Sequence, residues 1–181
     1  MRLKVVATPD NIQKSKEFFE NGDIINTLIS FNETIEHYDT KKGDKKEELI
    51  QFLNNILQYC KDNNLKNEEA MVLRTLGRTH TKFKDHVKGL KFSYQALKIQ
   101  KKLGKKLDVA ESLVFLAEDL EVSGNYEKVI ESYSEAAEIF HVLGELEKEK
   151  AVNKEIERLN DFSKEMVDDE YFLNKYQVDK Y

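Results

Sequence analysis

Residues 69–104 read EAMVLRTLGRTHTKFKDHVKGLKFSYQALKIQKKLG, and residues 109–144 read VAESLVFLAEDLEVSGNYEKVIESYSEAAEIFHVLG. The second stretch repeats the first at a fixed shift of 40. Ala70 falls on Ala110, Leu73 on Leu113, Leu76 on Leu116, Ala96 on Ala136 and Gly104 on Gly144. A unit repeated at such a period cannot bury its apolar side alone and must stack on its neighbours. The competing reading is a generic bundle with accidental periodicity. Five aligned small or apolar positions, the matched Gly stops among them, weigh against it.

Each copy is helical in pattern. Leu73, Leu76, Gly77 and His80 lie three or four apart, as do Leu113, Leu116, Ala117 and Leu120, which places each set on one helix face. A second helix follows in each copy. Its expected apolar face carries Val87, Leu90, Tyr94 and Leu97 in the first, and Tyr126, Val129, Ile130, Tyr133, Ala137 and Ile139 in the second. Between the helices stand Lys82-Phe83-Lys84-Asp85 and Ser123-Gly124-Asn125, which read as tight helix-helix connections. Leu103-Gly104 and Leu143-Gly144 close the second helices, with glycine as the C-terminal cap.

These residues resemble the tetratricopeptide repeat (TPR), a pair of antiparallel helices with a W-x2-L-G-x2-Y then A-x3-F pattern. Leu73-x2-Leu76-Gly77-x2-His80 and Leu113-x2-Leu116-Ala117-x2-Leu120 occupy the first part. Val129-x3-Tyr133 and Ala136 occupy the second part in the later copy. Gly77, Ala117, Gly89 and Ala96 are small where helices approach closely. Two departures stand out: the unit is longer than the usual length of about 34 residues, and no proline closes it, the sole proline being Pro9. A longer unit ending in Leu-Gly resembles the extended variety found in spindle-orientation scaffolds, kinesin light chains and bacterial peptide-sensing regulators. The chain is therefore read as one all-α domain over 1–181, an α-solenoid of antiparallel helix pairs. It divides into a degenerate N-terminal unit plus an extra helix over 10–62, clear repeats over 67–104 and 106–144, and a capping helix with a tail over 146–181.

Before the clear repeats, Met1 to Val6 reads as a short extended stretch or a frayed end. Thr8-Pro9-Asp10 starts a helix running to about Asn21. Further helices are expected over 23–40 and 47–61, separated by Lys42-Gly43-Asp44. Two phasings fit: 23–40 pairs with 47–61, or 10–21 pairs with 23–40. After Gly144, only Leu146, Val152, Ile156 and Leu159 are placed to face the stack, which suits a terminal capping helix. The tail carries Phe162, Met166, Tyr171, Phe172, Leu173 and Tyr176. It reads as a last helix packed on the end of the stack, the favoured arrangement, or as an aromatic peptide that docks elsewhere.

The 181 residues are 40% hydrophobic and 35% charged, which is polar for a compact globule and suits a thin solenoid exposing both faces. A single cysteine, Cys60, excludes an intrachain disulfide and fits a reducing, cytoplasmic setting. Neither a signal peptide nor an apolar membrane span is expected. The net charge of -5 argues against general nucleic-acid binding. Its distribution is uneven. Residues 61–106 hold 13 Lys/Arg against 4 Asp/Glu, a net of +9. Residues 107–181 hold 8 against 20, a net of -12. Either these are solvated faces of adjacent helices, or they form a homo-oligomer by joining chains head to tail through basic 61–106 and acidic 107–181.

Catalytic and metal chemistry have no support in the sequence. His37, His80, His86 and His141 are scattered, one cysteine cannot build a thiolate zinc site, and no phosphate-cradling glycine loop occurs. Asp168-Asp169-Glu170 lacks the alternation and glycine of a calcium loop. No metal, cofactor or enzymatic activity is expected. The TPR resemblance implies that the first helix of each unit lines a concave groove. Its outward positions are Arg74, Arg78 and Lys82 in the first clear repeat, and Val114, Glu118 and Glu121 in the second. That implies a groove basic at one end and acidic at the other, without the family's clamp for a terminal carboxylate. The expected function is a non-catalytic scaffold holding a partner peptide or helix. The alternatives are a regulatory peptide sensor or a self-assembling component.

Overall fold

Apolar residues at three- and four-residue spacing wind into helices along nearly the whole chain. In the computed structural model, residues 10–40 and 45–178 are described, with side chains described for 12–40 and 45–164. Among them are eight α-helices and no strand: α1 (Asp10–Glu20), α2 (Ile24–His37), α3 (Lys46–Asp62), α4 (Lys66–Lys82), α5 (His86–Leu103), α6 (Lys106–Val122), α7 (Tyr126–Leu143) and α8 (Leu146–Val178). The fold is an all-α solenoid of antiparallel helix pairs. Its period is strict: α4, α6 and α8 begin at 66, 106 and 146, and α3, α5 and α7 begin at 46, 86 and 126.

The turns share that period. Gly104 and Gly144 cap α5 and α7 in the left-handed region, at φ 67° and 72°. The equivalent earlier position is Asn64, at φ 55°. Asparagine tolerates this region better than most side chains. Two helices also have side-chain N-caps: Asp23 accepts from the Asn26 amide at 3.0 Å, and Asn125 from that of Lys128 at 3.4 Å.

Packing places α2 on the same side of the stack as α4 and α6. The even helices approach one another, α2 on α4 and α4 on α6, while the odd helices stand further apart. The even set therefore forms the inner curve of the stack. α2 belongs to it and packs closely on α1, while the backbones of α2 and α3 stay apart and meet through side chains of one apolar cluster. α1 also reaches α3, with Phe19 edge-on to Phe52 at 5.9 Å and to Tyr59 at 5.6 Å.

The tightest pair is α4–α5, because both helices carry glycine where they cross. A Cβ on Gly77 would collide with Ser93 Oγ, and one on Gly89 with Thr81 Oγ1; each would also lie 3.2 Å from the other glycine's carbonyl oxygen. At the equivalent positions α6–α7 has Ala117 and Val129, and α2–α3 has His37 and Leu49. The larger side chains hold those helices further apart, and in α2–α3 the space is filled by Phe31, Leu28, Leu53 and Ile56, all nearly fully buried.

Two expected apolar faces are corrected. Val87 is 82% exposed and Tyr94 is also largely exposed, because α5 buries Gly89, Ser93, Ala96, Leu97 and Gln100 instead. Leu146 is 66% exposed; α8 packs through Val152 and Leu159, with Ile156 half-buried. The tail continues α8 as helix to Val178, but the packing of Met166, Tyr171, Phe172, Leu173 and Tyr176 lies outside the described side chains. Met1 to Val6 and Lys42-Gly43-Asp44 also lie outside the described residues.

The α4–α5 crossing makes a direct prediction. Gly77→Leu forces Ser93 and the α5 backbone outward and costs about 1–3 kcal/mol. The shift in urea midpoint measures this; an unchanged midpoint would show that the crossing is not held at this spacing.

Candidate functional site

The inner face is built from one stripe on each even helix. On α4, Arg74 and Arg78 both lie over the ring of Phe115 from α6, with guanidinium carbons 4.6 and 4.8 Å from its centroid. Arg74 also stands 3.8 Å from Glu111, and Lys148 of α8 donates to the same carboxylate at 2.8 Å. Arg158 of α8 donates to Glu121 at 2.7 and 2.9 Å and to Glu155 at 2.7 Å. Lys82, at the other end of α4, donates to the Glu36 carbonyl of α2 at 2.9 Å. Cross-helix partners are 37 residues apart in three cases: Arg74 with Glu111, Glu111 with Lys148, and Glu121 with Arg158.

The backbones of α6 and α8 approach less closely than those of α4 and α6. The gap is a pocket of about 370 Å³. Val114 and Phe115 of α6, Phe140 of α7, and Ala151 and Val152 of α8 form its apolar lining, and Arg74, Glu111 and Lys148 form its rim. Phe140 and Val152 are buried, so the floor belongs to the core and is preformed. Lys148 also reaches over Phe140, its ammonium 5.7 Å from the ring centroid.

The surroundings perturb several charges. Burial of the Arg74 side chain, which is only 18% exposed, pulls its pKa below the ordinary guanidinium value, and Glu111 partly offsets this. The hydrogen bond to Glu111 raises Lys148. Glu118 of α6 is exposed, with Arg78, Asp119, Glu121 and Glu155 near enough to act on its charge. Loss of solvent there raises its pKa; Arg78 opposes the rise, and Asp119, Glu121 and Glu155 add to it. Just behind the groove Asp119 is almost fully buried and accepts from Ser93 Oγ at 2.5 Å. Burial raises its pKa, with the Ser93 and Thr81 hydroxyls pulling it back.

The six residues expected from the sequence thus fall into three settings. Arg74, Val114 and their neighbour Phe115 converge on the pocket. Arg78 and Glu118 stand one turn further along, and Glu121 is held by Arg158. Lys82 is tied to α2, away from the pocket. Sequence reasoning missed Glu111, Phe115, Phe140, Lys148 and Arg158. The spacing from Arg74 to Glu111 to Lys148 was a signal, visible only once the lateral register between even helices is known. Among the described residues, no group of three or more His, Cys, Asp or Glu side chains could hold a metal ion. No described helix is long and apolar enough to cross a membrane. Cys60 is fully buried, and burial pushes its thiol up to about 11.

No protein-family model matches the sequence, and no curated protein matches it. Among solved structures, the crystal structure of BtubC (BKLC) from P. vanneervenii is similar to this chain, with a TM-score of 0.66 and 14% identity over 83% of the chain. The chain spans about 61% of that protein's length. At this identity the likeness concerns the fold, and it supports the solenoid arrangement.

Asp119 yields a prediction with a definite sign. Its folded pKa lies above the unfolded value, so the protonated form carries the stabilisation. That stabilisation is complete below the ordinary carboxylate range and is lost as pH rises through the folded value. Asp119→Asn keeps an acceptor for Ser93 without a charge. It should gain about 1 kcal/mol over wild type near pH 8 and much less near pH 4. Denaturation midpoints at the two pH values measure this; an equal effect at both would contradict the assignment.

Proposed function

We propose that this chain is a non-catalytic interaction module of the TPR kind, holding a partner peptide or helix on its inner face. One observation carries the reading: the inner curve contains a preformed apolar pocket with charged groups at its rim, bounded by three successive even helices. Such a site takes a bulky apolar side chain as anchor and reads its neighbours by charge. Two cations and one carboxylate stand at the rim, so an acidic residue beside the anchor suits Arg74 and Lys148. The length of the curve lets the partner continue past Phe115 toward Arg78 and Glu118. A cytoplasmic setting belongs to the same reading, since the single thiol is buried and unpaired.

The test introduces charge into the pocket at Ala151, which is exposed, and at Val114, which is half-buried against the core. Val114→Glu with Ala151→Glu should lower affinity for the partner about 10- to 100-fold, measured by calorimetry on a peptide first captured from source lysate by wild type. Far-UV circular dichroism should stay close to wild type, and Ala151→Glu alone, at an exposed position, should keep the wild-type Tm and still weaken binding. A partner that binds the double variant as tightly as wild type would remove the pocket from the interface.

A further inference from the structure

We propose that two copies of this chain associate side by side through their outer helices, the lysine rib of α5 lying on the glutamate rib of α7 in the partner copy. Helix α5 has no acidic residue from His86 to Leu103 and exposes Lys88, Lys91, Lys98, Lys101 and Lys102. Helix α7 exposes Glu127, Glu131, Glu135 and Glu138. The third outer helix, α3, shows no such bias: its exposed face mixes Glu47, Glu48, Lys61 and Asp62 with amides. Within one chain a single ion pair joins the two ribs among the described residues, Lys101 to Glu135 at 2.7 Å. Lys91, Lys98, Glu131 and Glu138 have no charged partner among the described residues.

The repeat gives this pattern a geometry. Lys91 and Glu131 are 40 apart and hold the same place on successive units, as do Lys98 and Glu138. Outer helices of successive units run in the same direction. A two-fold axis parallel to the ribs and midway between them sets each α5 on the other copy's α7 at matching height. Lys91 then faces the partner's Glu131, and Lys98 faces the partner's Glu138. Symmetry makes each contact twice. Tyr94, largely exposed, lies between the two levels and opposite a small residue, the partner's Ser134. One like-charged contact arises, Lys88 with the partner's Lys128, and Lys88 keeps Asp85 at 3.2 Å. An extended polyanion would satisfy the lysine rib but meet repulsion from the adjoining glutamate rib, whereas a second copy satisfies both. Among the described residues the two unbalanced ribs lie on the flank of the stack, which favours side-by-side over head-to-tail joining.

Charge reversal tests this on the full chain. Wild type should dimerise in sedimentation velocity at low ionic strength, with a Kd that rises about tenfold or more between low and high salt. Lys91→Glu/Lys98→Glu and Glu131→Lys/Glu138→Lys should each weaken self-association at least about tenfold. Mixed one to one, the two variants should form a heterodimer at least as tight as the wild-type dimer, a result that a surface for an unrelated polyanion would not produce. A wild type that stays monomeric at high concentration and low salt overturns the proposal. So do variants that dimerise like wild type, or a mixture that fails to associate. These positions lie on the outer face, so the pocket and this interface fail independently.

Discussion

The crossing of α4 and α5 at Gly77 and Gly89 sets the geometry of what surrounds it. Without side chains there, the two backbones close until each glycine's carbonyl oxygen stands 3.2 Å from where a Cβ on the other would be. The contact has little apolar bulk of its own, and its value lies in what it brings near. Ser93 and Thr81 occupy the space beside the glycines, and Ser93 reaches Asp119 on the next helix. A polar layer thus sits in mid-stack. Apolar clusters lie on either side, one centred on α2, α3 and α4, the other on α6, α7 and α8. A buried carboxylate raised by its surroundings is tolerated there because a hydroxyl is fixed in position to meet it.

The pocket follows from the same variation in spacing. Successive pairs differ in how closely their helices approach: tight at Gly77/Gly89, looser with Ala117 and Val129, and open between α6 and α8. Close approach between α4 and α6 lets Arg74 and Arg78 lie on Phe115. The wider gap beyond leaves Phe140 and Val152 as a floor that no side chain fills. Stacking also neutralises most of the inner face, since Arg74, Lys148 and Glu111 share one network and Arg158 holds Glu121 and Glu155. The expected gradient from a basic to an acidic end is therefore mostly consumed by contacts between helices.

Much of this was legible before any coordinates, and the rest was not for definite reasons. The 40-residue period was readable because residues at helix crossings and turns are constrained in size and backbone angle, and these recur. Leu73, Leu76, Leu113 and Leu116 are buried as their spacing requires. The face of α5 was misread because its buried residues are small or polar, namely Gly89, Ser93, Ala96 and Gln100, and apolar character alone then points to Val87 and Tyr94. Leu146 misleads in the same way at the open end of the stack. In the groove, Arg74 and Val114 were within reach of sequence reasoning because each lies on the outward side of an inner helix. Their partners were not. Pairing across the groove follows a lateral register of 37, and a repeat of 40 shows which residues are equivalent without showing which are neighbours.

That difference between equivalence and neighbourhood also separates the two faces of the molecule. On the inner curve, charges three residues short of the repeat meet across both the close α4–α6 approach and the wider α6–α8 gap. On the outer curve the helices diverge, and most equivalent charges of opposite sign do not reach across. Lys101 and Glu135, which are 34 apart and not equivalent, do reach one another, while Lys91, Lys98, Glu131 and Glu138 do not. Register as well as spacing produces this asymmetry: the inner charges that meet are 37 apart, whereas Lys91 and Glu131, like Lys98 and Glu138, are 40 apart. Exposed pairs at this distance contribute little within a chain. A second copy, turned about a two-fold axis, presents the same two ribs in reversed order and at the same spacing.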